Sequence, residues 1–502
     1  MTRLAGLAAV ALAIAWLPGQ TAAGALRLWI AVGALPVLWA WRGRALPGAA
    51  WAWVCLAALA LVAAISSPAP GAAVAVALTQ LGWVVALGLG AWARPQAVAP
   101  WLSGAGAVAA LPGLFLEGGT FGNPDYLAAF LVGTLPWTLA AMPAGRRLHG
   151  ASAVVQLGAL IGTQSLGGLV ALAVAATAFG VRAGGRVRLL AVALGLVGVA
   201  TATQSDAVRE HLAGRRYLAE ISLQIAQMQP LTGVGAGGFH RAFLPAQAQH
   251  LAEHPDQADR WSNPYHAHAE PLQAAVEQGV PGALLLLLPV LAALARPRPG
   301  PAWPTVIGYA VLGAVSLPLF MPGAAWLAAF AVGASLGRPS APPHGAWRAV
   351  GLCLALPALG VASMDLLADR LLARADAAGD AHVAETAASL ALRPAPALRV
   401  AADARLARDP GAALALALAA DAVEPSVEGH MLRGRIFMVQ ADFARAQAAF
   451  QDALTLHPGL FAGWFALSRA REDAGDRAGA RAAAARARAL RPTDPRLRHL
   501  PE

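Results

Sequence analysis

Three long stretches of this sequence contain no charged side chain and no histidine, and they restrict what the chain can fold into. They run over residues 45–93, 150–181 and 299–337. A helix crosses the hydrocarbon core of a bilayer with about 20 apolar residues, and one Arg at its centre costs about 2.5–3.5 kcal/mol. The chain is 58% hydrophobic and 13% charged, about half the charged fraction of a soluble protein. The sequence therefore predicts an integral membrane protein.

The hydropathy pattern predicts an all-α bundle of about thirteen membrane-spanning helices. The predicted spans lie near residues 4–20, 25–41, 49–66, 71–92, 97–115, 124–142, 150–164, 166–181, 187–203, 270–295, 302–320, 322–337 and 347–364. The seventh and eighth form one apolar stretch, which we divide at the polar break Thr163-Gln164-Ser165. The first span has an alternative interpretation as a cleaved signal peptide, because Arg3 and an apolar run precede the small residues at 21–25.

Arginine in the short loops sets the orientation, since the sequence contains no Lys. Placing the N-terminus inside puts thirteen Arg in cytoplasmic loops and leaves only Arg27 in the short loops of the other face. This orientation predicts a multi-pass membrane protein. The long loop 204–267 and everything after residue 364 then lie outside the cytoplasm. We expect a membrane domain over 1–364, including that loop, and a second domain over 365–502.

The net charge of +10 does not indicate a nucleic-acid partner. The segment after Met364 holds 18 Arg against 17 acidic residues, so the excess lies mainly in the short loops between apolar segments. In that position it is a topology signal.

The C-terminal segment predicts an α-solenoid of tetratricopeptide type outside the cytoplasm. Three residue pairs are separated by 34 positions, the period of that repeat: Ala446 and Ala480, Ala453 and Ala487, and Pro458 and Pro492. A third, degenerate repeat covers residues 393–425. Such solenoids present a concave surface, so a protein partner at this domain is a further expectation.

Three polar segments interrupt the apolar pattern on the predicted outer face. The first is Gly118–Tyr126, where Asn123 and Pro124 form a turn and Asp125 begins a helix whose dipole favours an anion. The second contains Arg215 and Arg216, which suit a diphosphate. It continues into the glycine-rich residues 230–238, whose backbone N–H groups could face an anion.

The third polar segment is Asn263–Gln273, which leads into the tenth span, with Glu277 two helical turns beyond Glu270. Ionisable side chains at the mouth of a membrane helix are costly unless they serve a function. His268 and Glu270 could act as a base and its orienting carboxylate. A metal site made from the His-x-His pair and a carboxylate is the alternative, and an ordinary polar loop is a third.

Taken together, these segments resemble the O-antigen ligase/polymerase family, which includes lipopolysaccharide ligases, polysaccharide polymerases and bacterial protein O-oligosaccharyltransferases. The resemblance covers roughly residues 115–320. It is carried by five segments in order: Phe121–Tyr126, Arg215-Arg216, Pro230–Gly235, Ala267–Gln273 and Glu277–Gly282. Some members of the family also carry tetratricopeptide tails.

The resemblance implies a reaction and its participants. A glycan would be transferred from undecaprenyl diphosphate to an acceptor hydroxyl on a lipid, a protein or a glycan, without a metal ion or other cofactor. The reaction would take place on the periplasmic face of the bacterial inner membrane, and the C-terminal α-solenoid would be periplasmic. His268 would activate the acceptor, and Arg215 or Arg216 would neutralise the departing diphosphate. The substrate cavity would include Asn123, Asp125, Tyr126, Ser165 and Glu277.

One residue departs from the family pattern. The family usually has Ser-Arg-Gly at the hairpin between two spans, and this chain has Ser165-Leu166-Gly167. Arg209, or the second Arg of the 215/216 pair, would then supply the missing cation. The alternative function is a catalytically weak or inactive membrane scaffold whose repeats recruit partners in envelope-polysaccharide assembly. A transporter is less consistent with the sequence, which shows neither clear intramembrane charges nor internal pseudo-repeats.

Overall fold

The computed structural model describes residues 46–116, 119–183, 206–338 and 346–501. Within these ranges the chain is helical and contains no β-strand. The predicted spans at 4–20, 25–41 and 187–203 lie outside the described residues, as does the signal-peptide alternative.

The described helices follow the predicted apolar segments closely. In chain order they are α1 (Ala50–Ser66), α2 (Pro70–Trp92), α3 (Pro95–Gly113), α4 (Pro124–Ala141), α5 (Arg146–Gly162), α6 (Leu166–Ala183), α7 (Asp206–Met228), α8 (Phe239–Glu253), α9 (Glu270–Leu294), α10 (Ala302–Val315), α11 (Pro322–Leu336) and α12 (Ala346–Ala378). The remaining helices are α13 (Ala381–Leu390), α14 (Ala395–Arg405), α15 (Pro410–Val423), α16 (Val427–Val439), α17 (Phe443–Leu456), α18 (Phe461–Asp473) and α19 (Arg477–Leu490).

Three described helical segments are long and apolar enough to cross a bilayer: Pro70–Trp92, Pro124–Ala144 and Glu270–Leu294. Shorter apolar helices accompany them at α1, α6, α10 and α11. The protein is therefore a helical membrane protein, and the total of thirteen spans stays a prediction. The predicted break is present, because α5 ends at Gly162 and α6 begins at Leu166.

The chain forms two compact units. The first contains the described residues of 1–65, 73–236 and 266–366, and the second those of 66–72, 237–265 and 367–502. The predicted periplasmic loop 204–267 is thus shared between the units, and α12 runs without interruption through the predicted domain boundary at residue 364.

Glycines allow close helix contact in the first unit. A Cβ at Gly333 of α11 would overlap the carbonyl oxygen of Leu87 in α2, and one at Gly90 would overlap that of Phe330. Membrane helices associate through such small-residue contacts because lipid offers no hydrophobic driving force between them. These two glycines therefore bring the backbones of α2 and α11 together.

A buried polar network joins α3, α4 and α5. The Gln156 amide donates to Thr138 Oγ1 and accepts from Thr134 Oγ1, both at 2.8 Å. Ser103 Oγ donates to Ser152 Oγ at 3.1 Å. Polar side chains inside a membrane bundle bond to one another because lipid cannot satisfy them. This network fixes α5 against α4, the helix that carries Asp125.

In the second unit, the tail helices form antiparallel pairs with small residues at their contacts. Ala446, Ala453, Ala480 and Ala487 are fully buried, and Ser468 Oγ donates to the carbonyl oxygen of Ala480 at 2.9 Å. These pairs are compatible with tetratricopeptide repeats, which stay a prediction.

Residues 237–265 pack with the tail inside this unit. Trp261 Nε1 donates to the carbonyl oxygen of Leu456 at 2.8 Å, and its ring stacks on His457 at a centroid distance of 3.5 Å. This stack secures the loop segment after α8 to the helical tail.

Candidate functional site

A cavity of about 720 Å³ lies within the first unit. It is formed by the beginning of α4, the break between α5 and α6, the middle of α7, the segment before α9 and the end of α10. The residues that line it are Pro124, Asp125, Thr163, Gln164, Ser165, Leu166, Gly167, Val170, His211, Leu212, Arg215, Arg216, Ala219, Ala267, His268, Ala269, Val311, Leu312, Ala314, Val315 and Ser316. One part of the wall is polar and ionisable, while α6 and α10 contribute apolar side chains. Such a cavity suits an amphipathic ligand with a charged group.

His268 reaches the cavity from a constrained backbone position. Its φ is +54°, a left-handed conformation that is uncommon for a residue other than glycine. The neighbouring Ala267 N–H donates to Gln273 Oε1 at 2.7 Å, which ties the loop to the first turn of α9. Backbone conformations of this kind persist where the surrounding structure enforces them. The fold therefore directs the imidazole into the cavity.

The environment of His268 keeps its side chain neutral. Its pKa is lowered to about 4, mainly by partial burial and also by the positive charge of Arg215 and by His211, while Asp125 opposes this shift. A neutral imidazole at physiological pH has a lone pair with which to accept a proton. The unprotonated ring nitrogen of His268 can therefore accept a hydrogen bond or a proton.

Arg215 and Arg216 occupy different environments although they are neighbours on α7. Burial lowers the pKa of Arg215 and nearby Asp125 raises it. Its Nη1 is buried and, among the described residues, has no hydrogen-bond partner. The Arg216 side chain is 82% exposed and pairs with Glu220 at 2.7 Å. Arg215 is therefore the cation available to an anion in the cavity, with Arg216 at its solvent-exposed edge.

Asp125 and Ser165 connect the beginning of α4 to the α5–α6 break. Ser165 Oγ donates to Asp125 Oδ1 at 2.6 Å. Asn123 caps α4 by accepting the backbone N–H groups of Asp125 and Tyr126 at 2.9 and 3.3 Å. The cap fixes Asp125 at a helix N-terminus, where the dipole favours a carboxylate.

The family model described as O-antigen ligase matches residues 151–287, which extend from within α5 into α9. Matched residues include Ser165, Arg215 and His268, so the segment contains most of the polar cavity wall. The chain carries an O-antigen ligase domain. No curated protein matches the chain.

Two carboxylates that the sequence assigns to the site lie elsewhere in the O-antigen ligase domain. Glu270 accepts the N–H of Leu319 at 2.6 Å, and Glu277 accepts from the Gln273 amide at 2.8 Å. Both line a separate small cavity against α1 and α2. The carboxylate that influences the charge on His268 belongs to Asp125. This placement corrects the pairing of His268 with Glu270, because the chain turns at residue 268 and α9 begins at Glu270.

Three further predicted residues are not among the described residues that line the cavity. Asn123 caps the beginning of α4 beside the cavity, and Tyr126 and Arg209 are exposed. Of the predicted cavity residues, the structure brings together Asp125 and Ser165 with His268, Arg215 and Arg216.

The glycine-rich segment after α7 has a structural role in this domain. Gly233 N–H donates to Gln229 O at 2.9 Å, and Val234 N–H donates to Val276 O at 2.8 Å, so neither faces an anion. Gly279 interrupts α9 with φ +70°, and Val280 N–H donates to Pro230 O at 2.7 Å. The segment docks against the break in α9, and the N–H groups of Gly233 and Val234 are therefore not available to an anion.

The cavity also contains residues that the sequence did not single out. His211 lies one helical turn before Arg215, whose Nε donates to His211 Nε2 at 3.4 Å. Thr163 and Gln164 line the cavity at the α5–α6 break. The sequence signal for His211 is its i, i+4 spacing from Arg215. This spacing places the two side chains side by side only if the segment is helical.

Within the described residues, no group of three or more His, Cys, Asp or Glu side chains is placed to hold a metal ion. The alternative of a metal site at His266 and His268 therefore has no third ligand of these types in the described part of the chain.

Proposed function

We propose that this chain transfers a glycan from undecaprenyl diphosphate to an acceptor hydroxyl on the periplasmic side of the bacterial inner membrane. Its O-antigen ligase domain indicates glycan transfer in the assembly of envelope polysaccharide. The observation that carries the finer proposal is that His268 and Arg215, far apart in the sequence, line one cavity.

His268 accepts the proton of the acceptor hydroxyl as its oxygen attacks the anomeric carbon of the donor glycan. A new C–O glycosidic bond forms, and the bond from that carbon to the diphosphate oxygen breaks. The leaving group keeps the electron pair and departs as undecaprenyl diphosphate. The neutral state of His268, due to burial and Arg215, makes this proton transfer possible.

Arg215 stabilises the negative charge that develops on the leaving diphosphate. Its guanidinium is partly buried, and Nη1 points to no acceptor among the described residues. A fixed cation in a partly dry site stabilises developing charge more than a mobile solvated one. Asp125 balances the positive charge that forms on His268, and Ser165 holds Asp125 in place.

The apolar wall suits the lipid part of the donor. Val311, Leu312 and Val315 of α10 face the cavity together with Leu166 and Val170 of α6. The acceptor is a lipid, a protein or a growing glycan, and a periplasmic tetratricopeptide tail would recruit a protein acceptor or an assembly partner.

A second candidate function is a weak or inactive membrane scaffold in envelope-polysaccharide assembly. It is favoured by Leu166, which lines the cavity at the position where the family usually has Arg. The two functions differ in their need for His268, because a scaffold acts through its surface.

Deletion of the gene, followed by analysis of lipid-linked glycans and surface glycoconjugates, tests the proposal. The deletion strain should accumulate an undecaprenyl-linked glycan and lose one conjugate, which identifies the acceptor. The unchanged gene and a His382→Gln control in the exposed tail should restore the conjugate, while His268→Ala should not. Full restoration by His268→Ala at equal membrane levels would favour the scaffold.

A further inference from the structure

Gln164 lines the cavity at the α5–α6 break in a backbone conformation that is unfavourable for a residue with a Cβ atom. Its φ is +52°, in the left-handed region. Among the described residues, Gln164, His268 and Ala441 are the only ones with a positive φ that are not glycine. Two of these three line the cavity. Residues held in such conformations concentrate at functional sites.

Three other helices are followed by glycine where the backbone takes a positive φ. Gly337 follows α11, Gly379 follows α12 and Gly475 lies two residues after α18, with φ values of +76°, +63° and +83°. Glycine is favoured at such helix ends because it has no Cβ atom. Gln164 lies two residues after the end of α5 without this advantage. Its side chain is therefore present at a cost in stability.

The neighbours of Gln164 have structural partners, whereas its own side chain is available to a ligand. Thr163 Oγ1 donates to the carbonyl oxygen of Leu160 at 2.6 Å, and Ser165 Oγ donates to Asp125 Oδ1. Gln164 is exposed, and its amide forms no hydrogen bond with another residue in the described part of the chain. A carboxamide has two N–H donors and a carbonyl acceptor. Gln164 thus presents both kinds of hydrogen-bonding group to the cavity without adding charge.

The place of the reacting sugar follows from the roles proposed for His268 and Arg215. The anomeric carbon must lie between the attacking oxygen and the leaving oxygen, so the first sugar of the donor lies between the imidazole and the guanidinium. Asp125 acts electrostatically on both side chains and bonds to Ser165, the residue after Gln164. Gln164 therefore belongs to the part of the wall that faces this sugar.

We propose that Gln164 recognises the first sugar of the lipid-linked donor, through hydrogen bonds of its side-chain amide to hydroxyl or acetamido groups of that sugar. This inference rests on the proposed function, because it assumes that a glycan on a prenyl diphosphate occupies the cavity. Arg215 holds the diphosphate in that function, so Gln164 is a specificity-determining residue that acts on the sugar. Its loss should separate sugar recognition from diphosphate binding.

Binding of two ligands to the purified full-length protein tests the inference. One is the lipid-linked glycan that the deletion strain accumulates, and the other is undecaprenyl diphosphate without a sugar. Gln164→Leu removes the amide and keeps a side chain of similar size, while Gln164→Gly also relieves the backbone. Both variants should bind the lipid-linked glycan about three- to tenfold more weakly than the unchanged chain does, the size of one hydrogen bond. Both should bind undecaprenyl diphosphate as the unchanged chain does, and Arg215→Ala should weaken the binding of both ligands.

Ala441→Gly is the matched control for the backbone. Ala441 has a φ of +54° after α16 in the tail, and Gly475 lies 34 residues further along the chain. Gln164→Gly and Ala441→Gly should both raise the temperature of thermal unfolding in detergent, because glycine adopts this conformation without a steric penalty. Of these two variants, only Gln164→Gly should lose affinity for the lipid-linked glycan.

The two ligands also distinguish the possible failures. Unchanged affinity of both Gln164 variants for both ligands would overturn the role of Gln164. An equal loss of affinity for the two ligands would overturn it as well, because the amide would then act on the diphosphate or on the fold. In either case, weaker binding of both ligands by Arg215→Ala would leave the transferase proposal intact. If the unchanged chain binds neither ligand, the proposed function and this inference both fail.

Discussion

Replacing Arg215 and Arg216 separately by Ala tests the site through two chemically identical neighbours in different environments. The Arg216 side chain is 82% exposed and forms an i, i+4 pair with Glu220. Arg215 is partly buried, and its Nη1 has no hydrogen-bond partner in the described part of the chain. Both substitutions remove one positive charge from the same turn of α7, so a general change in local charge affects them equally.

The expected magnitudes follow from the two environments. Removing a fixed donor to developing charge in a partly dry site costs about 2.7–4 kcal/mol of transition-state stabilisation, or a factor of about 10² to 10³ in rate. An exposed ion pair contributes about 0.2–1 kcal/mol, which corresponds to at most about a fivefold change. Arg215→Ala should therefore reduce transfer at least about a hundredfold, and Arg216→Ala at most about fivefold.

The assay is glycan transfer by each purified full-length variant from a lipid-linked donor, with kcat/KM as the measured quantity. Equal yields of monodisperse protein establish that both variants fold. Equal losses in the two variants, or a larger loss in Arg216→Ala, would refute the assignment of Arg215 as the diphosphate cation. Full activity in both would refute the placement of the diphosphate in this cavity.

Four further outcomes follow from the structure. The kcat/KM for donor should stay constant from pH 8 to about 5 and fall as the pH drops through about 4, where His268 of the free protein becomes protonated; a pH–rate profile with loss near neutrality would contradict this. Leu166→Arg places a cation on the cavity wall and should lower the KM for donor about tenfold, the size of one charged hydrogen bond. Trp261→Ala removes the His457 stack and the hydrogen bond to Leu456, so it should destabilise the second unit by about 2 kcal/mol, the sum of one aromatic pair and one hydrogen bond, measured as faster limited proteolysis between residues 239 and 261. Gly233→Ala should destabilise the protein and reduce transfer more than Gly235→Ala, because both glycines have positive φ but only at Gly233 does an added Cβ contact the Glu277 backbone; thermal unfolding of both variants in detergent measures the difference.

The apolar part of the fold could be predicted because its signal is local. A helix in lipid must exclude charge along the length that crosses the hydrocarbon core, and the charge-free stretches contain the described helices α1, α2, α10 and α11 and all of α6 except its last two residues. The polar break at 163–165 could be predicted for the same reason. Polar residues in an apolar stretch of this length are most easily accommodated where the chain leaves the helix.

The cavity could be predicted only in part. His268, Arg215 and Asp125 stood out as ionisable groups at predicted membrane boundaries. Glu270 has the same signal, but the left-handed backbone at His268 and the start of α9 give its carboxylate a different direction, towards Leu319. His211 gave no signal of its own, since an exposed His on an amphipathic helix is ordinary.

The glycine-rich segment differs from the other motifs of this domain, because it holds two helical elements together and does not line the cavity. Residues 230–234 bond through their backbone to residues 276–280 of α9, a partner more than forty positions away. This docking connects the end of α7, which carries Arg215, to α9, which begins two residues after His268. Residues that do not line the cavity thus help to set the separation between the proposed base and the proposed diphosphate cation. A site that depends on placing a proton acceptor and a cation on opposite sides of one reacting carbon requires such a brace between the two elements that carry them.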